Sequence, residues 1–320
     1  MNLSFDDELS IEDIRERYAS DDAEVRRVAV MDLVDCIDEE ASELAVEAMS
    51  DPAVGVRCAA ARVLDEFEGE SVVEALLAGL SDDDASVREA AAETLSEIKD
   101  RSAGAAILAR LEMDDPFVKA SCLRALRDLR LPESQAVALK SLQHEDAQVR
   151  RAAVGVLAYL KNEDVLMALM NAARNDSDPM VRKVAVGSLI YSKTDQAADA
   201  LVQSLADDNW QVREEAALII GKVGIRSALD PLIDAMNDEY WQVRLKAAGS
   251  LGKLGDPAAV AVLGQALSFN ISNLRKESAA ALGEIASPEG LPFLDAALGD
   301  VDPDVRKIAQ WAIEQIAKNN

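Results

Sequence analysis

One histidine, three cysteines and a surplus of carboxylates are the side chains from which a catalytic site in this 320-residue chain would have to be assembled. His144 sits in Gln143-His144-Glu145-Asp146. Metal and acid–base centres recruit several such groups, so a lone histidine in a polar stretch reads as a solvated turn residue. Cys36, Cys58 and Cys122 form no CxxC pair and are odd in number, which fits reduced thiols better than a disulfide framework. A nucleophilic cysteine needs a neighbouring base and an electropositive setting. Cys36 and Cys122 fall instead at positions expected to be buried, and Cys58, expected to be more exposed, lies in an acidic region. Paired carboxylates recur at regular places and are better explained as helix caps than as the acid–base pair of a glycosidase. Gly249-Ser250-Leu251-Gly252-Lys253 follows a helical pattern rather than a strand, so it is no phosphate loop. The residues therefore predict no catalytic constellation, no metal and no cofactor.

The elements that would position any site announce themselves by repetition. A Val-Arg dipeptide or a close variant occurs ten times, at Val25, Val56, Val87, Val118, Val149, Val181, Val212, Val243, Leu274 and Val305, with eight spacings of 31 residues and one of 32. An acidic turn precedes most of them, as in Asp21-Asp22, Asp114-Asp115-Pro116 and Asp178-Pro179, supplying N-caps and first-turn prolines. A small residue follows the Val by four positions and an aliphatic one by eight, as in Ala60 and Leu64 or Ala216 and Ile220. Positions 0, 4, 8 and 11 share one helical face, predicting a buried stripe that allows close helix approach. The other half of each unit, for example Val72 to Leu80, has its own helical pattern, and Gly69, Gly224 and Gly255 punctuate the joints. Each unit is thus predicted to be two antiparallel helices. The 32-residue spacing predicts a longer turn around Arg174–Asp178.

The repeated Arg falls in the first turn of its helix, where the macrodipole disfavours a cation by roughly 0.3–1 kcal/mol. The acidic turn of the adjacent unit is the available offset, which predicts an Asp–Arg ladder between neighbours. Repeat nine carries Phe269-Asn270-Ile271-Ser272-Asn273 where an acidic turn belongs, so the regular rung is not expected there. The pattern in Asp22-Ala23-Glu24-Val25-Arg26 with Ala29 and Leu33, and in Val243-Arg244 with Ala247, Leu251, Gly252 and Leu254, resembles the HEAT-like repeat of the phycobilisome-lyase type. That resemblance spans about residues 10–317. It implies an all-α fold, an α-α superhelix of about ten 31-residue two-helix repeats running as one solenoid over 1–320, with capping repeats at 1–36 and 288–320. Such a rod would follow a path on the order of 100 Å. HEAT-like enzymes such as deoxyhypusine hydroxylase look like they need several His-Glu pairs, and only His144-Glu145 matches that requirement here.

Net charge narrows the partners. There are 33 Lys and Arg against 59 Asp and Glu, a formal charge of −26. The first 100 residues carry eight basic and 29 acidic side chains, so most of the excess lies there. With no basic stripe to displace counterions, nucleic acid and anionic membranes are not expected partners, and a glycosylase of the HEAT type, which needs a cationic groove, is excluded. A basic protein is an expected partner for the acidic third. The opening Met1 to Ile14 lacks the features of a signal peptide and no apolar run is long enough to span a bilayer, which predicts a cytoplasmic protein.

In solenoids that this chain resembles, the second helix of each unit looks like the one lining the concave face, and positions two, six and ten after the Val share its solvent side. In repeats one to four these are mainly charged, as in Glu89, Glu93 and Glu97. In repeats five to eight they read Arg151, Gly155, Tyr159; Lys183, Gly187, Tyr191; Glu214, Leu218, Lys222; and Leu245, Gly249, Lys253. Glycine inside a helix costs about 1 kcal/mol relative to alanine, so three of them on one face imply a close approach by another group. Arg151, Tyr159, Lys183, Tyr191, Leu218 and Leu245, with Trp210 and Trp241 two residues before the Val, form the expected contact set for a protein partner. The bland alternative is that the aromatics cover inter-repeat turns and the glycines ease packing. The expected function is a non-catalytic scaffold or adaptor. The alternative is a phycobilin lyase-like subunit, or another chaperone of cofactor attachment, which rests on the resemblance alone.

Overall fold

The second helix of most repeats starts from a turn whose side chain accepts the helix's free N–H groups, the exceptions among the described residues being the helices that begin after Ala53, Tyr240 and Ile271. Asp22, Asp84, Asp146 and Asp178 accept from Glu24, Ser86, Gln148 and Met180 at 2.7–2.8 Å. Proline fills the first position of two of these helices and begins the last, where its missing N–H costs nothing. In the computed structural model, which describes residues 10–36, 38–160, 162–192 and 196–319, this yields twenty α-helices, paired two by two, and no strand among the described residues.

The helices fall into two compact units, residues 1–160 and 161–320. In the first unit the leading helices are α1 (Ile11–Tyr18), α3 (Glu39–Ala48), α5 (Glu70–Gly79), α7 (Gly104–Arg110) and α9 (Ser134–Ser141). Their partners are α2 (Ala23–Met31), α4 (Val54–Val63), α6 (Ala85–Glu97), α8 (Pro116–Leu129) and α10 (Ala147–Leu157). The second unit repeats the scheme with leading helices α11 (Glu163–Asn175), α13 (Ala198–Ser204), α15 (Leu229–Ala235), α17 (Val260–Ala266) and α19 (Leu291–Ala297). Their partners are α12 (Pro179–Ser188), α14 (Trp210–Val223), α16 (Trp241–Leu254), α18 (Ser272–Ile285) and α20 (Pro303–Asn319). Within each unit every second helix packs on its own leading helix and on the second helices before and after it.

The predicted stripe is the core. Val56, Ala60 and Leu64, and likewise Val243, Ala247 and Leu251, are buried, and the pattern holds at positions 0, 4 and 8 of every repeat from the second to the ninth. Val25 departs from it: it is 38% exposed, beside exposed Val28, Met31 and Val34. Cys36 also departs, being half-buried where the chain leaves a short 3-10 turn, whereas Cys122 is buried as expected.

Small residues set the spacing of the later second helices. Gly221, Gly252 and Gly283 each stand nine residues after the repeated aliphatic, and a Cβ on them would lie 2.7–2.9 Å from the backbone Cα of Ser250, Ala281 and Ala312. Glycine is required there because the neighbouring backbone occupies the volume of a side chain. Ser250 uses the closeness to donate a buried 2.6 Å hydrogen bond to the Ala217 carbonyl.

The Arg ladder forms, with a repeating geometry. Arg26, Arg57, Arg182, Arg213 and Arg275 each make a two-pronged contact at 2.6–3.0 Å with an aspartate 25 residues on: Asp51, Asp82, Asp207, Asp238 and Asp300. The remaining guanidinium nitrogen folds back onto a carbonyl six residues earlier, as in Arg213 to Asp207 at 2.8 Å. The cation thus leaves the helix start and lies against carbonyl oxygens, which removes the dipole penalty. The same aspartate caps its own turn: Asp238 accepts from the Tyr240 N–H at 2.8 Å. Burial pushes the Asp238 carboxyl upward, and the hydrogen bonds it accepts from Arg213 and from the Tyr240 N–H outweigh this, holding the group below the usual carboxylate range.

Three positions replace the aspartate. Met113 follows Arg88 by 25 residues, and Arg88 keeps its turn carbonyls and lies 6.0 Å from the Phe117 ring centroid instead. His144 follows Lys119; its Nδ1 accepts the Asp146 N–H at 3.0 Å, so it is a partly buried turn cap rather than the freely solvated residue expected. Phe269 follows Arg244, whose guanidinium stacks 4.6 Å from the ring centroid. The acidic turn missing from repeat nine therefore alters the rung received from Arg244, while Arg275 of that repeat keeps a regular one. The extra residue of the 32-residue spacing is not in the turn: Asp176 accepts from Asp178 as Asp207 does from Asn209, so the insertion lies upstream, in the segment ending with the long α11.

Candidate protein-interaction faces

The eight residues expected to meet a partner divide between the two units. Arg151 and Tyr159 belong to the first, on α10 and just beyond it. Both are half-buried. Arg151 donates to Gln148 on its own helix, and Tyr159 lies beneath the Arg130 guanidinium, 4.8 Å from the ring centroid. Arg130 is held there by a left-handed backbone at the end of α8, with φ of 51°.

The other six lie on the second unit. Lys183 is on α12 and Tyr191 in the 3-10 turn that ends it; Leu218 and Leu245 are on α14 and α16. Tyr191 is 51% exposed, while Lys183, Leu218 and Leu245 are half-buried. Trp210 and Trp241 open α14 and α16. The Trp210 ring stacks on Tyr240 with centroids 5.2 Å apart and planes 12° from parallel, and Arg213 covers the same tyrosine at 5.7 Å. Trp210 therefore covers an inter-repeat turn.

The glycines need correcting. Their close approach is made by the neighbouring repeat: a Cβ on Gly187 would lie 3.1 Å from the Glu215 carboxylate, one on Gly249 would strike the Glu277 carboxylate, and Gly155 has Arg127 at an ordinary 3.5 Å. No outside group is implied by them.

Glu215 and Glu277 reveal what the sequence reading missed, a row three residues after the Val. Glu215, Lys246 and Glu277 are 31 residues apart, so the repeat period itself carried the signal. Burial pushes the Glu215 carboxyl upward; Lys183, Lys222 and Lys246 oppose this, and Glu214 adds to it. Burial likewise raises Glu277, with Glu284 adding and Lys253 and Lys246 opposing. The face thus interleaves lysines and half-buried carboxylates with Leu218, Leu245 and Tyr191.

Among the described residues no group of three His, Cys, Asp or Glu is placed to hold a metal, and no helix is long and apolar enough to cross a membrane. Burial pushes the Cys122 thiol up to about 12, against a smaller opposing influence from Arg110, so it is not a thiolate at neutral pH.

A family model described as HEAT repeats matches residues 11–96, 41–127, 73–146, 135–221, 198–268 and 229–314. No curated protein matches the chain. Among solved structures, yeast importin-β (Kap95p) is similar at TM-score 0.65 and 14% identity, over 97% of this chain and 50% of that one. Kap121p bound to the extreme C-terminus of the protein phosphatase Cdc14p is similar at TM-score 0.56 and 14% identity, over 96% and 41%. An engineered protein is similar at TM-score 0.51 and 21% identity, over 96% and 98%. The chain thus spans half or less of the length of these karyopherins, and identities this low speak for the fold alone.

Proposed function

This chain belongs to the HEAT-repeat family, and from that premise we propose that it is a non-catalytic scaffold whose second unit captures a protein partner on its second-helix face. The observation that carries the reading is that successive repeats leave Tyr191, Leu218 and Leu245 partly open to solvent, on elements that also carry Lys183, Lys246 and Lys253. Aromatic and aliphatic anchors flanked by charge are what protein interfaces use. Lys183, Trp210 and Trp241 complete the proposed contact set on this unit. Arg151 and Tyr159 form a separate contact set on the first unit. Kap121p in complex with a phosphatase tail is a structural neighbour that holds a protein ligand, and the analogy is one of architecture.

The test places a photo-crosslinking residue at Leu218 or Leu245 and, as a control, at exposed Glu74 on α5, in the native host. A single protein captured from the first two positions and not from the third supports the reading, and Tyr191→Ala with Leu218→Ala should then weaken its binding by about 2 kcal/mol or more. Equal capture at all three positions refutes it. The lyase-like alternative rests on the repeat pattern alone; protein purified from its host would then carry visible absorbance.

A further inference from the structure

A small cavity in the first unit lies where the 3-10 turn after α4, the start of α5 and the end of α6 meet. Its volume is about 140 Å³. A cavity on the order of 150 Å³ accepts a molecule the size of benzene, whereas drug-sized ligands and cofactors occupy roughly 300–1,000 Å³. The space suits one side chain.

Its floor is apolar, made by Phe67, Val72, Val73 and Ile98, and its rim carries Asp65, Glu68, Glu97 and Asp100 with Lys99 as the one cation. Lys99 is shared between Glu97 at 3.7 Å and Asp128 at 3.6 Å, and Asp100 is occupied by Ser102, so among the described residues Asp65 and Glu68 are exposed carboxylates without an ion pair and Glu97 has only its long contact to Lys99.

Two further features point inward. Thr94, only 6% exposed, lines the cavity and its hydroxyl makes no hydrogen bond among the described residues. The residue that ends α6, Ile98, turns to an extended backbone (ψ 127°) and donates no hydrogen bond back into the helix, leaving the last carbonyls of α6 uncapped. An uncapped helix C-terminus carries partial negative charge and favours a cation.

We propose that this cavity seats a lysine or arginine side chain of a basic protein segment, its aliphatic stem on Phe67 and Ile98 and its cationic head among Glu68, Glu97 and the Thr94 hydroxyl. Long basic side chains combine an apolar stem with a charged head in this way. The site lies on the first unit and stands independently of the second-unit face.

The experiment measures fluorescence anisotropy of a labelled nine-residue Gly/Ser peptide carrying three arginines, titrated with the full chain at physiological ionic strength, where diffuse attraction is screened beyond about 8 Å. The arginine peptide should bind at least ten-fold more tightly than its citrulline counterpart. Glu68→Gln with Glu97→Gln should weaken it at least ten-fold and Thr94→Val about three-fold. Glu40→Gln with Glu43→Gln, an equal charge change on α3, should alter it less than two-fold, and circular dichroism confirms that all variants fold. No binding of the arginine peptide, equal binding of the citrulline peptide, or equal losses from the two glutamate pairs would overturn the proposal. Displacement of the peptide by spermidine with the same variant sensitivity would assign the cavity to a small polyamine and overturn it as well.

Discussion

Arg213→Ala removes one rung of the ladder whose geometry is fully defined. The guanidinium makes two bonds to Asp238, at 2.6 and 3.0 Å, and two to turn carbonyls, at 2.8 and 3.2 Å, with the Arg213 and Asp238 side chains only 12% and 9% exposed. Truncation leaves the Asp238 carboxylate with its cap to Tyr240 alone. Leaving a buried acceptor unsatisfied costs about 1–3 kcal/mol, more when it is charged. Part of this returns because water can reach the turn from which the side chain is withdrawn, so the expected loss is about 2.5 kcal/mol. A cooperative unit of roughly 160 residues shifts its melting midpoint by about 2–4 °C per kcal/mol, giving a fall of about 5–10 °C by differential scanning calorimetry. Asp238→Ala should cost a similar amount, and the double variant should recover about 1.5 kcal/mol or more of the sum. If both single variants melt like the parent, or the costs add without coupling, the rung is solvated and the ladder does not hold repeats together.

Acid should weaken the fold through the same rungs. For Asp82 and Asp300 the arginine hydrogen bond is the largest influence, and for Asp51 and Asp207, as for Asp238, burial acts upward but is outweighed; all five carboxyls are held low. Their contribution is complete above the unfolded carboxylate value of about 3.9 and is lost as pH falls through the lower folded values, so denaturant midpoints should drop below about pH 4 and Arg213→Ala should flatten that drop. Glu215 and Glu277 have the opposite sign, since burial raises them: Glu215→Gln or Glu277→Gln should leave the midpoint at pH 7 unchanged or slightly higher, and a clear loss would show that the carboxylates are well paired. Gly221→Ala should destabilise by about 1–3 kcal/mol because its Cβ meets the Ser250 backbone, and Gly224→Ala by about 1 kcal/mol through its φ of 81° alone; equal effects would show that the helices can part.

The dipeptide period, the acidic turns and the small residues made the repeat legible, because each marks a local requirement: a cap, a first turn, a close helix contact. The ladder was legible in kind, since a cation at a helix start demands an anion. Which aspartate answers was harder to read, because the partner at 25 residues is fixed by the packing of neighbouring repeats. Gly187 and Gly249 were misread for a related reason. A helical glycine shows that something comes close without saying what, and the groups that come close, Glu215 and Glu277, lie in the next repeat but one row over. Trp210 was ambiguous in sequence because stacking on Tyr240 depends on a turn geometry that Asp238 sets.

The three substituted rungs have a consequence for how these units come apart. In a one-dimensional array, cooperativity is carried by the couplings between neighbours, and a weakened coupling lets one side unzip while the other stays folded. Met113, His144 and Phe269 stand where an aspartate would answer Arg88, Lys119 and Arg244, so repeats three, four and five in the first unit and repeats eight and nine in the second lack the two-pronged ion pair that joins other neighbours. Hydrogen exchange should resolve these seams as steps in protection along each unit. Within each cooperative unit, those joints should be the first to open transiently below the melting midpoint.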